Sequence, residues 1–388
     1  MKLVKTYRRN PGTGAIMPKE EMLDEIKYNK FKFNNRPMPS DKRRILFISC
    51  FTEFGCESVA LMYCIPKIIQ KYAGCYVICV GWYGREYLYR HLVDEYWEIK
   101  EEYQWLREYS IAFSHTSKNL DKLEESLKKQ GNLYKSVYMG HICLGNTCRD
   151  CKNFWGQGGH NLECPKCNSK NVAHGLLNDV PTHKRFAVPI PSPRPKVVAE
   201  AKSYLKPNSV GIFARGRACY GRNLPPEFYE QLIGRLESHG YNPIWLGEKQ
   251  SVLPCPCPHI TDFSRLPESK NLELTLAIVG QLKFTVQFWT ASTRFASMMG
   301  VPWILFESPE QIVGVGQEGI RIALTTDPNR KKLVLSEFWS TFNDQPKALD
   351  LVDQAIQEMQ QDNWDDIIGL VDDSGLVASM LEKQKLWR

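Results

Sequence analysis

The spacing Cys148-x-x-Cys151, twelve further residues, then Cys164-x-x-Cys167 constrains this chain more than any other feature of it. Two thiolates two residues apart can reach one ion at ~2.3 Å, and two such knuckles complete the tetrahedron of a structural zinc site. The surroundings fit that reading. Residues 141–175 are rich in Cys, Gly, Asn and His and follow neither a helical nor a strand period, so a metal rather than a core has to order them. Cys143 and His160 are alternative ligands for the first knuckle. Four thiolates leave no open coordination position, which makes the zinc a staple and not a catalyst. His141, Lys152, Trp155, Lys166, Lys170 and His174 surround the ribbon, a mixture able to hold phosphates and stack on bases. Contact with a nucleic acid and simple stapling of a loop both stay open.

On either side of this insertion the pattern is α/β. Residues 44–51 read as a buried parallel strand, 52–57 as a polar turn containing Gly55, 58–72 as a helix and 76–82 as a second strand. This unit opens a Rossmann-like domain. Charge spacing predicts helices over 84–108 and 118–130, and a strand at 133–141. Residues 181–196 hold five prolines, which excludes a helix interior or a central strand and predicts an extended linker. Alternation resumes at Ser209, with strands near 209–213, 242–246, 283–288 and 302–307. A helix opens on Pro225 and Pro226 and closes before Gly240, a second runs over 271–281, and a short one spans about 292–299. The expected organisation is a basic arm (1–43), a first Rossmann-like domain (44–140), a zinc ribbon (141–180), a Pro-rich linker (181–208) and a second Rossmann-like domain with C-terminal helices (209–388).

A chain of 388 residues has room for two such cores, and 43% hydrophobic with 24% charged residues is the balance of a soluble globular protein. No apolar run reaches the ~18 residues of a membrane span, and the basic start lacks the apolar stretch of a secretory signal. A cytoplasmic location and reduced cysteines are the expectation. The formal charge of +7 is carried wholly by residues 1–44, where 12 Lys/Arg face 5 Asp/Glu; the remainder balances at 38 against 38. Such an arm is either a solvated tail or a phosphate-binding element. No strand read above leads directly into a GxGxxG, which disfavours a nicotinamide dehydrogenase.

The runs GIFARGRACYGRNLPPEFYEQLIGRLESHGYNPIWLGE and NLELTLAIVGQLKFTVQFWTASTRFASMMGVPWILFE together resemble the donor domain of GT-B glycosyltransferases, the heptosyltransferase-like members above all. The likeness covers residues 209–310, with a weaker echo at 44–81. It departs at Trp289-Thr290-Ala291, where that family carries an Asp-Thr-Gly triplet, and at Gly55-Cys56-Glu57, where it carries Gly-Asp. The resemblance implies a GT-B-like fold and a nucleotide-sugar donor. Arg215, Arg217 and Arg222 after the first donor strand, and Ser292 and Thr293 at a helix start, would meet the departing diphosphate, with Glu307 on a ribose or sugar hydroxyl. Developing negative charge needs such donors. Glu57, or else Glu53, would be the general base that takes the acceptor's proton, and Gly55, Tyr83 and Arg85 would line the acceptor site. The acceptor would be a glycan, a small molecule, or a hydroxylated base in DNA or RNA such as phage-type enzymes modify. A zinc-containing nucleic-acid-binding protein without catalysis is the alternative.

Overall fold

A computed structural model describes residues 7–9, 16–18, 27–34, 45–51, 62–103, 125–127, 133–138, 146–148, 150–151, 154–155, 163–164, 166–173, 191–216, 223–249, 251–288, 293–299, 301–306, 333–335 and 345–360. The chain divides into two compact units, Met1–Pro191 and Ser192–Arg388. Among the described residues no helix is long and apolar enough to cross a membrane.

In the first unit, β1 (Tyr7–Arg9) and β2 (Ile16–Pro18) form a small antiparallel pair. The main sheet takes β3 (Tyr28–Lys32), β4 (Ile45–Ser49), β5 (Tyr76–Gly81), β6 (Glu95–Ile99) and β7 (Leu133–Tyr138), in the order β3-β6-β5-β4-β7. All neighbours are parallel except the edge strand β3. β4 and β5 are buried at every position, as two-sided apolar strands must be when helices cover both faces. Helix α1 (Met62–Lys71) and the short α2 (Glu86–Tyr89) make the crossovers. A core of Ile45, Phe47, Phe51, Tyr76, Ile78, Val80, Trp82, Trp97 and Ile99 fills one side.

Three sequence expectations change here. The stretch 84–108 is not one helix: after α2 it becomes β6, buried throughout. Its carboxylates mimic a solvated helix face, yet each is met inside the protein. Glu95 accepts from Tyr76 Oη at 2.6 Å and from Trp97 Nε1 at 2.7 Å, and Asp94 accepts from the Val77 amide at 2.7 Å. The basic arm is not wholly a tail either, since its residues 28–32 close the sheet edge with Lys30 Nζ 4.0 Å from the Trp97 ring centroid. The proposed linker 181–208 contains α3 (Pro195–Ala201), which begins on a proline at its first turn and buries Val197 and Ala201 in the second unit. Residues 181–190 lie outside the described residues.

The second unit is a six-stranded, all-parallel sheet. Its strands are β11 (Ser209–Phe213), β12 (Asn242–Trp245), β13 (Thr261–Asp262), β14 (Thr285–Phe288), β15 (Trp303–Phe306) and β16 (Leu333–Leu335), in the order β13-β12-β11-β14-β15-β16. Helix α4 (Pro226–Ser238) buries Phe228, Tyr229, Leu232, Ile233 and Leu236, one apolar stripe at helical spacing, against Val210, Ile212 and Trp245. α7 (Gln345–Gln360) shares that face through Leu349, Val352 and Ile356. Gly240, at φ +80°, ends the α4 turn in the left-handed region that favours glycine. On the opposite face α5 (Leu272–Val279), capped by Asn271 Oδ1, packs with α3 and α6 (Thr293–Met299). Glu273 is 1% exposed on α5, and it accepts from the Arg194 amide at 2.7 Å and from its guanidinium.

Candidate metal centre and nucleotide site

The ribbon is a three-stranded antiparallel sheet of β8 (Asn146–Cys148), β9 (Phe154–Trp155) and β10 (Val172–Ala173), with β8 central. It brings the four expected ligands, Cys148, Cys151, Cys164 and Cys167, together with all sulfurs within 4.8 Å of one another. Cys148 and Cys167 sulfurs lie 3.6 Å apart, and those of Cys151 and Cys164 lie 3.5 Å apart. A tetrahedron of thiolates at ~2.3 Å from an ion has edges of ~3.8 Å, so the cluster has the size of an ion-binding cage. The Cys151 amide lies 3.5 Å from Cys148 Sγ and the Lys166 amide 3.4 Å from Cys164 Sγ, donors that favour thiolate over thiol. The Cys151 amide is the largest influence lowering the Cys148 pKa. Behind the cluster Asp150 ties the two knuckles together, accepting from Ser169 Oγ at 2.5 Å and from Asn171 Nδ2 at 2.8 Å. Asn168, at φ 55°, makes the turn after the second knuckle. These residues fit a metal ion. Cys143 and His160 lie outside the described residues.

In the second unit the strand order reverses between β11 and β14. Open parallel sheets receive ligands at such a switch point, beyond the carboxyl ends of the strands. β11 ends there and leads to Arg215 and Gly216, which pair with the chain after β12. The Gly216 amide donates to Ser251 O at 2.9 Å, and the Leu253 amide to Ala214 O at 3.0 Å. A Cβ on Gly216 would sit 2.5 Å from the Val252 carbonyl carbon, so the approach needs glycine. Arg215 is 4% exposed, and its Nη1 donates to Asn223 Oδ1 at 2.8 Å. Burial pushes the neighbouring Tyr229 phenol well up, with the Arg215 guanidinium pulling the other way. Because β14 runs parallel to β11, the α6 start at Thr293 lies toward the same end of the sheet as Arg215. Arg217, Arg222, Ser292 and Glu307 lie outside the described residues.

The first sheet also reverses, between β4 and β7. The loop after β4 therefore emerges at that unit's switch point, although Glu53, Gly55 and Glu57 lie outside the described residues. Tyr83 and Arg85 follow β5 at the same end. Tyr83 is half-buried and its pKa is raised, first by burial and then by the Glu101 carboxylate. Arg85 is 4% exposed. Sequence reasoning passed over Glu98, which lies on β6, 3% exposed, and accepts from the Gly84 amide at 2.8 Å. Burial, the largest cause, pushes its pKa up to about 7. No period marked it, because it sits in a strand that reads as helix.

No family model matches the sequence, and no curated protein matches it. Among solved structures the chain is similar to a glycosyl transferase family 9 protein from Veillonella parvula, at 10% identity and a TM-score of 0.45, over 78% of this chain and 88% of that one. It is similar also to the heptosyltransferase WaaC of E. coli, solved with ADP, at 12% identity and a TM-score of 0.40, over 82% of this chain and 98% of that one.

Proposed function

We propose that this protein transfers a sugar from a nucleotide-sugar donor to a hydroxyl acceptor. The carrying observation is the all-parallel sheet whose order reverses between β11 and β14, with Arg215 and the α6 start at that carboxyl end. A diphosphate leaving group needs fixed positive charge and N–H donors where its own charge develops. In this reading Arg215, Arg217, Arg222, Ser292 and Thr293 supply them, and Glu307 accepts from a ribose or sugar hydroxyl. Glu57, with Glu53 as substitute, takes the acceptor proton as the hydroxyl oxygen attacks the anomeric carbon and the nucleoside diphosphate departs. Gly55, Tyr83 and Arg85 line the acceptor side, and the acceptor is a glycan hydroxyl or a hydroxylated base in DNA or RNA. Cys148, Cys151, Cys164 and Cys167 hold one zinc, which cross-links the ribbon and takes no part in bond making.

Titration calorimetry against nucleoside diphosphates tests the donor site. Wild-type protein is expected to bind at least one, and Arg215→Ala to weaken that binding by ~1.5–3 kcal/mol, the worth of a hydrogen bond to a charged group. A folded Arg215→Ala with wild-type affinity removes this residue from the site. Wild-type protein that binds no nucleotide favours the alternative, a nucleic-acid-binding protein without catalysis.

A further inference from the structure

Gln287 is the third of four residues in β14 and is 2% exposed, yet among the described residues neither Oε1 nor Nε2 has a hydrogen-bond partner. A buried primary amide bonded to nothing is costly, and an apolar side chain of the same size would fill the position without that cost. Its place is specific. Across the reversal point it pairs in register with Phe213, the last residue of β11, and on its other side with Leu305 of β15. Paired residues share a face, and on this face the Phe213 ring meets Phe295 of α6 at 5.8 Å. The amide thus lies beside Phe213, one residue from the carboxyl end of β14, on the side covered by α6. Thr285 is two residues earlier on the same face, and its Oγ1 is buried and unpartnered as well. Two polar side chains are therefore kept in a row where Val or Leu would pack.

We infer that Gln287 is a specificity-determining contact to the nucleoside portion of the donor. This rests on the donor-site reading above. The chemistry selects the ligand part: a carboxamide donates and accepts at once, and a phosphate oxygen satisfies only the donor half, leaving Oε1 bare. A ribose hydroxyl or a base edge offers both an acceptor and an N–H or O–H.

The test compares full-length wild type with Gln287→Met, an unbranched apolar replacement, using ADP, UDP, GDP, CDP and inorganic pyrophosphate as calorimetric probes. Gln287→Leu serves as a second variant should Gln287→Met fold poorly. The expected result is a loss of about tenfold or more in nucleoside diphosphate affinity, with pyrophosphate affinity unchanged and the unliganded melting temperature equal or higher. An equal loss for every diphosphate bound places the contact on ribose, and a loss concentrated on one places it on the base; both support the inference. Wild-type diphosphate affinity in the variant overturns it, as does an equal loss for pyrophosphate. A melting temperature lowered by about 5 °C or more in both variants also overturns it, since the amide then has a partner within the folded protein. Wild-type protein that binds none of the five probes instead defeats the donor-site reading, and the inference falls with it.

Discussion

The carboxyl ends of the two sheets treat buried polar groups differently. In the first unit, Glu98 is bonded to the Gly84 amide, and Asp94 and Glu95 at the opposite end of β6 are bonded as well. In the second, Gln287 sits in the corresponding end of its sheet and is bonded to nothing. The same contrast runs through how each unit is ordered. The first carries a ribbon in which Cys148 and Cys164 are buried, and the second rests on apolar clusters covering both faces of its sheet. Polar and ionic groups in the first unit thus work as fasteners. In the second unit Glu273 is fastened likewise by Arg194, whereas the Gln287 amide has no such partner among the described residues and stays available to a ligand.

The strongest way to break this contrast is to remove the fastener. Purified protein should hold about one zinc per chain, and Cys164→Ser or chelation should abolish it and open the ribbon to proteolysis, because structural zinc contributes about 10–16 kcal/mol to the order of such sites. Elemental analysis with mapped cleavage between residues 146 and 173 reads this, and an intact ribbon without metal would contradict it. The converse loss belongs to the second unit. Phe228, fully buried between α4 and its sheet, should cost about 3–5 kcal/mol when changed to Ala. The zinc content should stay at one equivalent. Denaturant unfolding followed alongside metal content separates the two effects, and simultaneous loss of both would show that the units stand or fall together.

The smallest expected effect sharpens the comparison within the first sheet. Glu98 has its pKa raised from 4.5 to about 7, chiefly by burial. A folded state that holds this proton more tightly than the unfolded chain is favoured at low pH and loses that advantage as pH rises from 4.5 through 7. Glu98→Gln keeps an acceptor for the Gly84 amide and cannot ionise. Its melting temperature should exceed that of wild type by most above pH 7 and by least near pH 4.5. A difference independent of pH would mean that Glu98 has the same pKa in the folded and the unfolded chain.

What could be read from the sequence follows from the range of each signal. The metal cage was legible because two CxxC spacings are local and carry their geometry with them. The strands at Ile45–Ser49, Tyr76–Gly81, Ser209–Phe213 and Thr285–Phe288 were legible because a strand covered on both faces must be nearly all apolar. β6 was misread, since Glu95 and Glu98 look solvated until Tyr76, Trp97 and Gly84 are known to meet them. β3 was misread too, because an edge strand need bury only part of itself, and its lysines carry the composition of a tail.

The sequence by itself determined the alternation of strands and helices, the cysteine cage, and which loops carry Arg215, Tyr83 and Arg85. Only the tertiary structure decided the strand order, and with it the two reversal points that bring β11 beside β14 and β4 beside β7. It also decided that Gln287 is buried without a partner while Glu98 is buried with one. The physical reason is that a hydrogen-bond partner or a neighbouring strand is set by residues tens of positions away. No local pattern of charge or hydrophobicity encodes whether a distant donor will arrive.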